Sequence, residues 1–360
     1  MTDKTQTLEE EIIKQNNLLK TDRLDVSFGE LMSMYERKEI IIRPAFQRLF
    51  RWDIDQRTRF IESILLGIPI PPIFVATDEE GVWELVDGLQ RISTILSFFG
   101  ILRSEDEGIK NNNNWTLTAG DRIDVLEGFN YETLPNKFKL NIKRATCRVE
   151  ILRWNSNYDM RFELFNRLNT GGSPLTPQEI RNCIYRDISS EFNDFLKELS
   201  SNQDFRTIID LDIQQYEQLY HEELVLRFLS LYNNIHNIKT SIAQHMTNFM
   251  RDALYNKDFD YQRYRVIFNR LFKLLRPLGK TIFRQKDGHF ATALYDVITI
   301  GVAEKIDKYE KIDPKIIKTK IDKEVRKDEL LLKFSRRGGN NQRTRIINRI
   351  KEARRIFDKI

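Results

Sequence analysis

The chain has 360 residues, 41% apolar and 31% charged, with a formal net charge of +5, which is enough for two domains, or for one domain with a large extension, around a real core. No run approaches the ~18 uninterrupted apolar residues of a membrane span, so no membrane partner is expected. The two cysteines, Cys147 and Cys183, exclude a disulfide framework and a zinc ribbon built from this chain alone, and a reducing, cytoplasmic setting is expected.

In chain order, residues 1–22 read as a polar N-terminal helix or arm, unlike a signal peptide. Arg23 to Ser27 predicts a short strand, and Ser27-Phe28-Gly29-Glu30 predicts a capping box opening a helix to about Arg37. Glu39 to Arg43 predicts a buried strand stopped by Pro44. Asp53-Ile54-Asp55-Gln56 opens the next helix, with Phe60, Ile61, Ile64 and Leu65 on its apolar face and Gly67 at its end. A proline-rich connection, Ile68 to Pro72, leads to a hairpin of Ile73–Ala76 and Val82–Val86 around Asp78-Glu79-Glu80-Gly81. The following helix carries Ile92, Ile95, Leu96 and Phe99 on one face and stops at Gly100.

Residues 101–120 read as a flexible insertion, and Trp115–Phe129 has room for two strands. Leu134–Ile142 predicts a short helix and Ala145–Leu152 a strand. A helix from about Tyr158 to Leu168 runs into the loop Asn169-Thr170-Gly171-Gly172-Ser173. Thr176-Pro177-Gln178-Glu179 opens another helix with cap, N1 proline and box glutamate in place. Beyond about residue 187 the period is helical throughout: 216–232, 241–255, 261–278, 290–306, 314–332 and 344–357 all fit amphipathic helices. The expected architecture is α+β, with a mixed domain over 23–187 followed by an all-helical domain over 188–360.

Three polar clusters stand out. The first, Arg43-Pro44-Ala45-Phe46-Gln47-Arg48-Leu49-Phe50-Arg51-Trp52, combines guanidinium forks that suit phosphate oxygens with three aromatics better read as core anchors. The second is Asp87-Gly88-Leu89-Gln90-Arg91. Asp87 sits where an N-cap belongs, and Arg91 is a cation at the helix end whose dipole favours an anion. Two readings stay open there: an anion site, or an ordinary Asp-Gly turn in which Arg91 pairs with Asp87 or a nearby Glu. In the third, Phe165 to Gly172, the paired glycines can form an anion nest or a plain C-cap.

Charge is uneven along the chain. Residues 311–360 hold 17 Lys/Arg and 7 Asp/Glu. Arg336, Arg337, Arg343, Arg345 and Arg349 are the candidate DNA-binding residues of this basic end, against the commoner alternative of a solvated helix face. The four histidines, His221, His236, His245 and His289, form no metal-ligand spacing. Neither a GxxxxGK[ST] loop nor a GxSxG elbow is present.

Pro44 to Arg48 with Trp52, Phe60 to Pro71, Val86 to Arg91, and Phe165 to Gly172 followed by Leu175 to Asn182 together resemble, in order and spacing, the N-terminal domain of GmrSD-type restriction proteins, often described as ParB-like. The resemblance covers about residues 24–187. It implies a ParB/sulfiredoxin-like fold and a role in anti-phage or modified-DNA restriction. It also implies nucleoside-triphosphate binding or hydrolysis with Mg²⁺ at a turn of the type Asp-Gly-Gln-Gln-Arg. Carried over, Asp87 would hold Mg²⁺ or orient a water, Gln90 would position that water, and Arg48 and Arg91 would hold phosphates. Gln47, Gly88, Arg167, Asn169, Thr170, Gly171 and Gly172 would complete the nucleotide contacts. Leu89 stands where the family usually has glutamine, which bears on hydrolysis more than on binding. The HNH nuclease domain of many relatives is not recognisable, so nuclease activity is expected only through a partner or from the ParB-like domain itself. DNA is the expected partner, with a separate nuclease subunit and homo-oligomerisation compatible with the same reading. The alternative is a non-enzymatic DNA-binding or adaptor module that recruits such a nuclease.

Overall fold

The computed structural model describes residues 2–16, 20–42, 52–103, 113–153, 176–185, 190–232, 234–235, 238–239, 241–334 and 342–358. The chain divides into two compact units, Met1–Leu175 and Thr176–Ile360. The division falls ahead of the expected boundary at 187, because the helix opened by Thr176 packs among the helices that follow it.

The first unit begins with α1 (Thr2–Asn16) and β1 (Thr21–Ser27), then α2 (Phe28–Glu36), β2 (Ile40–Ile41), α3 (Ile54–Leu65), β3 (Ile73–Thr77), β4 (Trp83–Asp87), α4 (Leu89–Phe98), α5 (Asn136–Arg144) and β5 (Thr146–Leu152). Local chemistry explains most of the boundaries. Ser27 caps α2 by accepting the Glu30 N–H, and Asp53 with Gln56 forms a reciprocal capping box on α3. The sheet order is β1-β5-β3-β4-β2. β1/β5 and β3/β4 are antiparallel, while β5/β3 and β4/β2 are parallel.

Alternation along β5 buries Cys147, Val149 and Ile151 and leaves Thr146 and Arg148 outside. Across the β1/β5 pair, ion pairs join Asp22 to Arg153, Arg23 to Glu150 and Asp25 to Arg148. The buried side chains pack with Phe28, Leu31, Ile61, Ile64, Ile92, Ile95 and Phe98 from α2, α3 and α4 into one core. Eight residues of α4 are buried, including Ser93, Thr94 and Ser97, whose hydroxyls donate to carbonyls three or four residues back in the same helix.

The two strands expected within Trp115–Phe129 do not form. This stretch is a loop with one 3₁₀ turn at Asp124–Leu126. Glu62, buried on α3, accepts the backbone N–H groups of Asp121, Arg122 and Ile123. Those donors therefore have a side-chain partner and need no neighbouring strand.

The second unit is helical: α6 (Pro177–Tyr185), α7 (Ser190–Ser200), α8 (Gln203–Ile209), α9 (Ile213–Glu217), α10 (Tyr220–Leu231), α11 (Ile242–Tyr255), α12 (Tyr261–Leu275), α13 (Thr292–Ala303), α14 (Ile306–Tyr309), α15 (Pro314–Lys320), α16 (Glu329–Phe334) and α17 (Arg343–Phe357). The helix expected over 216–232 is broken at Leu219, which takes φ +55°. The one expected over 314–332 is interrupted by a π-helical turn, Ile321–Val325. No helix among the described residues is long and apolar enough to cross a membrane.

Candidate functional site

Asp87 is the last residue of β4 rather than the helix N-cap. Its Cα partner across the sheet is Phe74, and the β3–β4 register shifts between Phe74 and Val75. Such an irregularity bends a strand and re-aims the side chains beside it. Gly88 takes the N-cap position with φ +98° and no side-chain cap on α4. A Cβ at Gly88 would stand 2.4 Å from Ile73 Cγ2, so glycine is required both by the backbone conformation and by the close approach of β3.

Arg91 is held from three directions. Its Nη1 donates to the carbonyls of Pro71 (2.6 Å) and Pro72 (2.9 Å), and its Nη2 donates to Asp87 Oδ2 (2.9 Å). Its side chain is 13% exposed, against 39% for Asp87. Of the two readings left open by the sequence, the Asp87–Arg91 pair is present. It also joins the proline-rich connection to the turn. The Pro71 carbonyl faces the Cys147 thiol as well, at 3.9 Å. Burial pushes that thiol's pKa up, with the Arg91 charge acting the other way.

Gln90 Oε1 accepts the backbone N–H of Trp52 at 3.1 Å. The turn therefore touches the end of the first polar cluster as well as Pro71 and Pro72. The Trp52 ring packs 5.5 Å from Phe60, as expected of a core anchor. Leu89 is 7% exposed and belongs to the core cluster. Leu89 is thus a packing residue of the turn.

Gln47, Arg48, Arg167, Asn169, Thr170, Gly171, Gly172, Arg336 and Arg337 lie outside the described residues. Among the described residues no group of three or more His, Cys, Asp or Glu is placed to hold a metal ion.

The basic end differs from expectation. Arg349 is 1% exposed, and its Nη2 donates to Asp296 Oδ2 at 2.7 Å. Arg227 holds the same carboxylate with two bonds, of 2.5 and 2.8 Å. As a DNA contact Arg349 is thus corrected: α17 turns it into the core, where Asp296 on α13 awaits it. Arg343 is exposed but its Nε is spent on the Ile238 carbonyl at 2.7 Å, and Arg345 is half-buried. Arg354 pairs with Glu304, and Arg355 with Glu352 and Asp328. The buried Arg227–Asp296–Arg349 triad was missed by local reading because its members are far apart in sequence. An aspartate within the apolar run of α13 was the available signal.

An α+β sheet layer with a strand–glycine–helix turn, tied by an arginine to a proline-rich connection, defines the class of the first unit. Residues 28–186 match the family model for the GmrSD restriction endonuclease, N-terminal domain. Over that span, a little under half of the chain, the sequence carries the N-terminal domain of this restriction-endonuclease family. No curated protein and no solved structure matches the chain.

Proposed function

We propose that the chain is the nucleotide-dependent component of a restriction system acting on DNA, holding a nucleoside triphosphate and Mg²⁺ at the Asp87–Arg91 turn. The observation that carries this reading is the convergence at one turn of Trp52 and Pro71–Pro72 from separate motif segments, beside a half-exposed aspartate. Asp87 gives one oxygen to Arg91 and keeps the other for a cation. A nucleotide-bound Mg²⁺ needs only one or two protein carboxylates, since phosphates and waters fill the rest, so a single aspartate fits. When bound, the ion neutralises phosphate charge and polarises the bond to be broken.

The chain's own residues position and orient. The uncapped N-terminus of α4 directs N–H groups and its positive dipole end towards an anion. Arg91 supplies a fixed charge, already bracketed by carbonyls, rather than a mobile finger. Gln90 fixes the backbone of Trp52, and in this reading Gln47, Arg48, Arg167, Asn169, Thr170, Gly171 and Gly172 supply the phosphate contacts. Cutting of DNA falls to a separate nuclease subunit.

A second reading is favoured by the three hydrogen bonds of Arg91 and the burial of Leu89: the turn is structural, and the chain is an adaptor that grips DNA. Phosphate release by the full chain with Mg²⁺, with and without duplex DNA, separates the two. Release that is lost in a folded Asp87→Asn variant supports the nucleotide reading. DNA binding without release from any triphosphate supports the adaptor.

A further inference from the structure

With Arg349, Arg354 and Arg355 tied to carboxylates, the unneutralised charge of the second unit lies elsewhere. Residues 305–327 contain nine Lys/Arg and five Asp/Glu, and all five carboxylates are engaged. Arg270 reaches in from α12 and takes Asp307 at 2.5 Å and Glu310 at 2.6 Å. Asp313 caps α15 by accepting the Lys315 N–H at 2.8 Å. Asp322 pairs with Arg326 and Glu324 with Lys320, while Lys305 pairs with Asp358. Six lysines remain: Lys308, Lys311, Lys315, Lys318, Lys323 and Lys327. All are exposed, and none has a carboxylate partner among the described residues.

Four of the groups that would ordinarily neutralise this face are taken by arginine or by helix capping, and the fifth, Glu324, by Lys320. A solvated surface normally intersperses the two signs. Lys315 and Lys323, beside the Lys320–Glu324 pair, also line a groove of about 510 Å³ with Ile312, Ile316 and Thr319. Positions 312, 315, 316, 319, 320 and 323 recur at spacings of three and four, so they form one helical stripe. Ile316, in its middle, is 58% exposed. α15 and the π-helical turn after it extend the stripe over roughly 18 Å, about five base-pair steps of a duplex.

We propose that this lysine face grips the phosphate backbone of duplex DNA without reading its sequence. Lysine ammonium groups are mobile point charges suited to phosphates, whereas base readout leans on the planar forks that this stripe lacks. The proposal rests on the reading that this chain itself contacts DNA.

The test is fluorescence anisotropy of a labelled duplex titrated with the full chain over a range of salt concentrations. The variant carries Lys311→Gln, Lys315→Gln, Lys318→Gln and Lys323→Gln, with circular dichroism confirming its fold. We expect wild-type binding to fall steeply with salt. The variant should bind about tenfold more weakly or worse near physiological salt, with a log–log slope flattened by up to about 3.6 units, since each of four lost phosphate contacts removes ~0.9. A second variant, Lys308→Gln with Lys327→Gln at the ends of the face, should show a smaller loss in the same direction. Wild-type binding left unchanged in both variants overturns the lysine face and leaves the DNA reading standing. A wild type that binds no duplex at low salt overturns both. A wild type held by polyglutamate but not by DNA overturns the proposal and assigns the face to an acidic protein.

Discussion

At the scale of single residues, the turn is built around two positions that tolerate little change. Gly88 combines φ +98° with a 2.4 Å approach of its missing Cβ to Ile73. Gly88→Ala adds left-handed strain and a clash in the core, so it should destabilise the first unit by roughly 2–4 kcal/mol. Trp52, Trp83 and Trp115 lie in that unit, as does the fourth tryptophan of the chain, so fluorescence-detected urea unfolding reads this loss separately. Leu89→Gln puts an amide where a core side chain packs. It should cost about 2–4 kcal/mol by the same measurement, and a fully stable variant would show the site to be more open than its burial. The Asp-Gly turn and its glycine were legible in the sequence because a strand, a glycine and an amphipathic helix adjoin one another there. The partners of Arg91 were not fully legible: Asp87 is four residues away, but the Pro71 and Pro72 carbonyls are brought in by the packing of β3 against β4.

At the scale of elements, α17 shows why a basic helix cannot be assigned to nucleic acid from its composition alone. Arg349 and Arg354 turn towards α13 and its C-terminal end, to Asp296 and Glu304. The deciding carboxylates are some fifty residues away, beyond any local pattern. The Arg227–Asp296–Arg349 triad buries two cations and one anion, and the Nε and Nη1 of Arg349 have no hydrogen-bond partner. The substitutions should therefore be unequal. Asp296→Ala strands two buried cations and should destabilise the second unit by about 3–5 kcal/mol or more. Arg349→Met leaves the neutral Arg227–Asp296 pair and fills similar volume, so it should cost clearly less. Far-UV circular dichroism, dominated by helix, follows both, and equal losses would contradict this ordering. The same long-range logic hid the loop of residues 115–129. Its apolar spacing suggested strands, yet the donors of residues 121–123 go to Glu62, roughly sixty residues earlier. The capping boxes at Asp53 and Thr176 were legible because every partner lies within three residues.

At the scale of the whole molecule, a mixed α+β unit is followed by a helical unit, and each has its own electrostatic signature. In the helical unit burial, aided by the Arg206 charge, lowers the pKa of His221 to about 4. The unfolded chain takes up that proton near pH 6.5, while the folded unit refuses it until about pH 4. Stability held above pH 6.5 should thus be lost as the pH falls between these values, at up to about 1.4 kcal/mol per pH unit from this group. His221→Phe, which keeps the ring contact with Tyr216, should flatten the dependence in that window. In the first unit the central claim is that the Asp87 turn holds a triphosphate through a cation. Calorimetric titration of the full chain with each nucleoside triphosphate, with and without Mg²⁺, in wild type and Asp87→Asn, tests it most directly. Binding of at least one triphosphate should be strengthened by Mg²⁺, and Asp87→Asn should lose about tenfold or more of that affinity, ~1.4 kcal/mol, with its fold intact. No binding by the wild type, or identical Mg²⁺-dependent binding by the folded variant, would contradict it.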